Sequence, residues 1–132
     1  MKIIKCKWFP PSGNKAIALL PFIIVRAKMF WCFTEYDENH ECIHLRQQLE
    51  MLILGALMAV GLWLLGCGWW SLLALPLFFW WYGIEFVIRY VCYRFDYDKA
   101  YRKVAFEREA YSNQMYLDYL KDRKLMAWIE YM

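Results

Sequence analysis

The chain has 132 residues, enough for one domain and not two. It is 61% hydrophobic and 20% aromatic yet 22% charged, too apolar for an ordinary soluble domain, and the apolar residues concentrate in one central block. The net charge of +3 comes without a dense basic patch or a nucleic-acid-reading motif, which excludes nucleic acid as the expected partner.

Residues 1–15 are basic and carry turn punctuation at Pro10-Pro11-Ser12-Gly13-Asn14. They lack an apolar stretch followed by a small-residue cleavage site, so no cleaved signal peptide is expected. The apolar run Ala16 to Val25 is too short to span a bilayer as a helix. Its β-branched and aromatic content predicts a strand, or a strand pair broken at Pro21, with an interfacial segment as the alternative.

Residues 34–38 are polar and acidic, and Asp37 or Asn39 is the expected N-cap of a long helix. No stop signal follows until Gly66-Cys67-Gly68. A helix from Glu38 to Leu65 would be about 42 Å long. Its first part is polar (His40, Glu41, His44, Arg46, Gln47, Gln48, Glu50), and its second part, from Met51, holds no charge. A second apolar run, Trp69 to Ile88, is interrupted only by Glu85. Together these predict a transmembrane helical hairpin over about 51–90, with a soluble buried hairpin as the alternative. Trp69 and Trp70 suit an interfacial belt, and Gly55 with Ala59 allows close helix contact. The hairpin turn carries no charge, while Arg26, Lys28 and Arg46 precede the hairpin and Arg89, Arg94, Lys99, Arg102 and Lys103 follow it. Both ends are therefore expected in the cytoplasm. The junction of Asp96 and Asp98 with Tyr93, Tyr97 and Tyr101 reads as an interfacial loop. The stretch from Ala100 to Tyr131 reads as one helix or two.

The five cysteines form no CxxC pair, so neither a zinc ribbon nor a disulfide framework is expected, and small buried thiols are the simpler reading. Both histidines fall in one word, His40-Glu41-Cys42-Ile43-His44. Histidines at i and i+4 share a helix face, where two imidazoles can hold one Zn²⁺, and Glu41 can then serve as base toward water activated by the ion. Cys42 points away from that face. A catalytic zinc typically takes three protein ligands. With no third histidine, the remaining ligand is expected to be a carboxylate or a cysteine.

The motif, taken with Glu107-Arg108-Glu109-Ala110-Tyr111, resembles gluzincin-type zinc metallopeptidases, whose HExxH helix is completed by a glutamate in a later E-x-x-A-D motif. The resemblance implies His40, His44 and Glu107 as zinc ligands, with Glu109 as the alternative. It implies Glu41 as the catalytic residue and a peptide or protein as the substrate. Tyr111 stands where the family has Asp, and is the candidate oxyanion stabiliser. Asn39 through Glu50 also resembles small bacterial membrane proteins with an N-H-E-x-I-H-x-R-Q-Q-x-E pattern, which implies a multi-pass protein of the inner membrane. Glu85 reads either as an ion pair with Arg89 or as an acceptor behind a zinc-bound histidine. Gln47 reads as a solvated surface residue. The expected fold is mainly α: a membrane hairpin, the HExxH helix, a C-terminal helix and a short N-terminal strand or strand pair, in one domain over 1–132. The rival reading is a non-catalytic membrane scaffold, or a subunit of a homo-oligomer or larger complex, with a structural or lapsed zinc site.

Overall fold

The computed structural model describes residues 2–10 and 13–132; Pro11 and Ser12, in the expected first turn, lie outside the described residues. The chain is mainly helical with a small three-stranded sheet. Strand β1 (Lys2–Cys6) runs parallel to β3 (Phe22–Arg26), and β2 (Ala16–Leu19) pairs antiparallel with β3, giving the order β1-β3-β2. The Ala16–Val25 run is thus a strand pair turning at Leu20-Pro21, where proline has no N–H to offer a ladder. β1 lies in the basic segment, whose Ile3 and Ile4 alone hint at a strand.

Helix α1 (Glu35–Leu64) starts three residues before the earlier of the two expected caps would allow, because Thr34 is the N-cap. Its hydroxyl accepts from the Asp37 N–H while the Asp37 carboxylate accepts from the Thr34 N–H, a closed capping box. Asn39 sits inside the helix. The helix ends before Gly66, whose φ of +89° suits glycine.

The second apolar run is not one helix. A 3₁₀ segment, Gly68–Ala74, is followed by α2 (Leu77–Cys92), and the two are bent by 61° at Leu75-Pro76. Pro76 lacks the N–H needed to continue the first segment and opens the second. Gly55 lies against this bend: a Cβ there would stand 2.3 Å from the Ala74 carbonyl oxygen, so only glycine admits the contact. Among the described residues, α1 is the one helix long and apolar enough to cross a membrane.

The C-terminal part is broken into α3 (Tyr97–Lys103), α4 (Ala105–Asn113), the single turn α5 (Tyr119–Asp122) and a 3₁₀ segment, Ala127–Tyr131. Met51, Phe78, Val104, Phe106 and Trp128 form the main core, and Ala18, Ile23, Val25 and Leu45 seal the sheet onto α1. The cysteines are not the buried thiols expected: Cys67 and Cys92 are exposed and the other three half-buried, with no disulfide among them.

Candidate metal centre

One face of the polar half of α1 meets the first turn of α4, and there His40, His44 and Glu107 come together. The His40 and His44 Nε2 atoms lie 3.1 Å apart. The Glu107 carboxylate completes a triangle, with Oε2 3.4 Å from His40 Nε2 and Oε1 3.3 Å from His44 Nε2. Ligand atoms on a tetrahedral zinc with bonds of about 2.0–2.1 Å stand about 3.3–3.4 Å apart. The two histidine–carboxylate distances match that spacing, one to each oxygen of Glu107, and the 3.1 Å between the two nitrogens is slightly shorter. All three side chains are buried, with 10%, 9% and 3% of their surface exposed.

The other ring nitrogens are tied down. His44 Nδ1 is 2.7 Å from Gln47 Oε1, and His40 Nδ1 is 3.1 Å from Gln114 Oε1. An amide oxygen can only accept, so both Nδ1 atoms carry the proton and both Nε2 atoms are aimed at Glu107. Buried Glu107 Oε2 has no hydrogen-bond donor, which is how a carboxylate oxygen placed for a cation would look. Two imidazole nitrogens and one carboxylate oxygen are the donor set that zinc takes in a three-ligand site.

Electrostatics tie the group together. Burial alone would raise the Glu107 carboxyl, but the two imidazoles facing it, His44 foremost, outweigh it and hold the group well below the usual carboxylate range. Burial would lower His44, yet Glu107 raises it to about 9. Burial raises Glu41, partly offset by His44 and His40. The Ala18 backbone N–H hydrogen-bonds the Glu41 carboxylate, so the edge strand β2 helps to aim it.

Sequence reasoning missed most of the surrounding shell. Gln47 is no surface residue: it is fully buried, accepts from His44, and donates to the Phe106 carbonyl and to Glu109 Oε2. Gln48 clamps β2 by donating to the Ala18 carbonyl and accepting from the Leu20 N–H. The Tyr82 hydroxyl donates to Glu107 Oε1 at 3.0 Å, and Tyr101 also hydrogen-bonds that carboxylate. Tyr101, expected in a loop, comes from α3. Only a fold that returns α2 and α3 to α1 brings these tyrosines to the histidines.

The structure also places the other residues singled out in the sequence. Glu109 stands apart from the histidines; with Glu50 it flanks the buried guanidinium of Arg123, and it accepts from Gln47 and Tyr119. Of its two expected readings Glu85 takes the ion pair: it pairs with Arg89 at 3.1 Å, and it accepts from the Ala105 N–H at the start of α4. Asn39 donates to the carbonyls of Asn113, Gln114 and Tyr116, which holds the end of α4 and thereby Gln114 in place. Tyr111 packs edge-on against the His40 ring with centroids 4.7 Å apart. Where the resemblance has an aspartate behind a histidine, this chain uses the amides of Gln47 and Gln114.

Two clefts flank the cluster. One, of about 210 Å³, is apolar and includes Ile17, Phe78, Phe79 and Tyr82 beside Glu41, His44 and Glu107. The other, of about 390 Å³, is polar and includes Lys15, Asp37, Arg102 and Gln114 beside His40 and Glu41. Asn14, Ala16, Glu41 and Tyr101 belong to both walls.

Comparison with protein-family models, with curated proteins and with solved structures finds no match. The site therefore rests on its own geometry: a buried group able to hold a metal ion, with an acidic side chain beside it in an open cleft.

Proposed function

We propose that the chain is a membrane-anchored single-zinc peptidase working at the cytoplasmic face of a bacterial inner membrane. The observation that carries this reading is the triangle of His40 Nε2, His44 Nε2 and the Glu107 carboxylate, with both Nδ1 atoms fixed by amide oxygens and Glu41 in the adjoining cleft. When bound, zinc supplies Lewis acidity to water and to a scissile carbonyl. His40, His44 and Glu107 hold it. Glu41 takes a proton from the attacking water and passes it to the leaving amine; its burial raises its basicity toward that task. Tyr111, beside the His40 ring and in the wall of the polar cleft, is the hydroxyl that would stabilise an oxyanion.

The membrane reading is supported by chain segments 51–64 and 68–84, which hold no charged residue and leave Leu57, Leu64, Trp69 and Trp70 largely exposed. The apolar half of α1, Met51–Leu64, is about 21 Å long, shorter than a hydrocarbon core of about 30 Å. The lysines and arginines lie at the opposite end from the Gly66–Gly68 tip, which supports a hairpin with both ends in the cytoplasm.

A structural zinc is the second reading. The ligands come from α1 and α4, so an ion would clamp the two helices and add folding energy. The Glu41→Gln variant separates the two. Peptidase action predicts unchanged zinc content and a fall of about 10²–10⁴-fold in the hydrolysis of a quenched fluorescent peptide. Hydrolysis at the wild-type rate, or none in the wild type, favours the clamp.

A further inference from the structure

The apolar cleft beside the cluster does not end there. A second groove, of about 290 Å³, shares Gln48, Phe78 and Phe79 with it and continues past Leu19, Leu20, Leu52 and Pro76. Its walls are apolar apart from Gln48. It runs from Glu41 and His44 to the start of the uncharged hairpin, along the side where Leu19, Leu52 and Phe79 are 43%, 40% and 52% exposed. On the far side of Glu41 and Tyr101 the surface changes character. There the polar cleft presents Lys15, Asp37, Arg102 and Gln114. A reacting group at the cluster would thus have an apolar track on one side and a polar, charged basin on the other.

Resting on the peptidase reading, we infer that the substrate is an extended peptide whose scissile bond joins an apolar segment to a polar one. The apolar segment lies in the groove against Phe79, Ile17 and Leu19, and arrives from the bilayer side. The polar segment lies in the basin beside Lys15 and Arg102. Three observations select this occupant over a wholly polar or wholly apolar one. The two clefts share walls at Glu41 and Tyr101, so one ligand can occupy both. The apolar groove opens at the belt of exposed hydrophobic side chains rather than at the charged end. The polar basin holds charge of both signs, which suits a solvated peptide rather than an acyl chain.

The test uses the full chain in lipid nanodiscs and two quenched octapeptides with the same central pair. One carries leucines on one side and Ser-Lys on the other; its counterpart is polar on both sides. Copies with a photoreactive diazirine on the residue next to the central pair report binding by mass spectrometry, in zinc-loaded and chelator-stripped protein alike. The expected result is a preference of roughly tenfold or more in kcat/KM for the leucine peptide. Its diazirine should label Phe79, Leu19 or Leu52 with or without zinc. Phe79→Ala should erase the preference by raising KM with zinc content unchanged, and Leu19→Ser, on a different element, should do the same should the first variant misfold. Cleavage of both peptides at equal rates, or labels outside the groove, overturns the inference and leaves the peptidase reading standing. Labels in the groove with neither peptide cleaved overturn the peptidase reading and leave the groove as a binding site for apolar peptide.

Discussion

Replacing Gln47 by leucine removes a side chain of about the same volume and three hydrogen bonds. The 2.7 Å bond from His44 Nδ1 is lost, so the ring is free to rotate or to take the other tautomer. A supporting hydrogen bond of this kind is worth about 10–100-fold in metal affinity, or about 1.4–2.7 kcal/mol. The bonds to the Phe106 carbonyl and Glu109 Oε2, 3.1 and 2.9 Å, are lost as well. Glu109 keeps Arg123 as a partner, so its share of the loss is partial. Two buried bonds at about 1 kcal/mol each, plus some desolvation left uncompensated, give about 2–4 kcal/mol of stability in the metal-free chain. A competition titration against a chelating indicator reads the affinity, and denaturant unfolding of the chelator-treated protein reads the stability. Gln47→Leu with wild-type zinc affinity would refute the claim that this amide sets the ring.

Two more predictions follow from the same buried surroundings. Arg123→Met strands the Glu50 and Glu109 carboxylates, both under 10% exposed, and should cost about 3–5 kcal/mol in denaturant unfolding while leaving zinc stoichiometry at one per folded chain. In the metal-free protein His44 is raised from 6.5 to about 9, so it binds protons more tightly folded than unfolded. Its contribution to stability is fully present below about pH 6.5 and is lost as pH rises through about 9; Glu107, lowered on folding, contributes above about pH 4.5 and loses that contribution as pH falls. Unfolding free energy of the chelated protein should therefore decline between pH 6.5 and 9, while zinc affinity rises over the same interval because the ion must displace the His44 proton. A flat profile for both would contradict the assigned bond between His44 and Glu107.

Much of the site can be read from local spacing. The i, i+4 histidines share a face of α1 because the helix period puts them there, and Glu107 reaches them from the first turn of α4. The strand pair at Pro21 is likewise visible in composition. What stayed hidden depends on contacts between distant residues. Gln47 looks like surface in a polar stretch, and only the packing of α4 on α1 buries it. Glu50 gives no sign of its role until Arg123, 73 positions later, is seen against it. Glu107 and Glu109 are two residues apart and point different ways on a helix, so choosing between them requires knowing which face of α4 meets α1. Thr34 is overshadowed by two later cap candidates, Asp37 and Asn39. Pro76 sits in an apolar run whose hydropathy alone suggests one continuous arm, and the 61° bend comes from its backbone chemistry rather than its hydrophobicity.

The central claim is that His40, His44 and Glu107 together hold one zinc ion. It is tested most directly by zinc content per purified folded chain for the wild type beside Glu107→Ala and Glu109→Ala. The account predicts about one zinc in the wild type and in Glu109→Ala, and a large loss in Glu107→Ala alone. Absence of zinc from the wild type after reconstitution, or its loss in Glu109→Ala but not Glu107→Ala in folded protein, would contradict it.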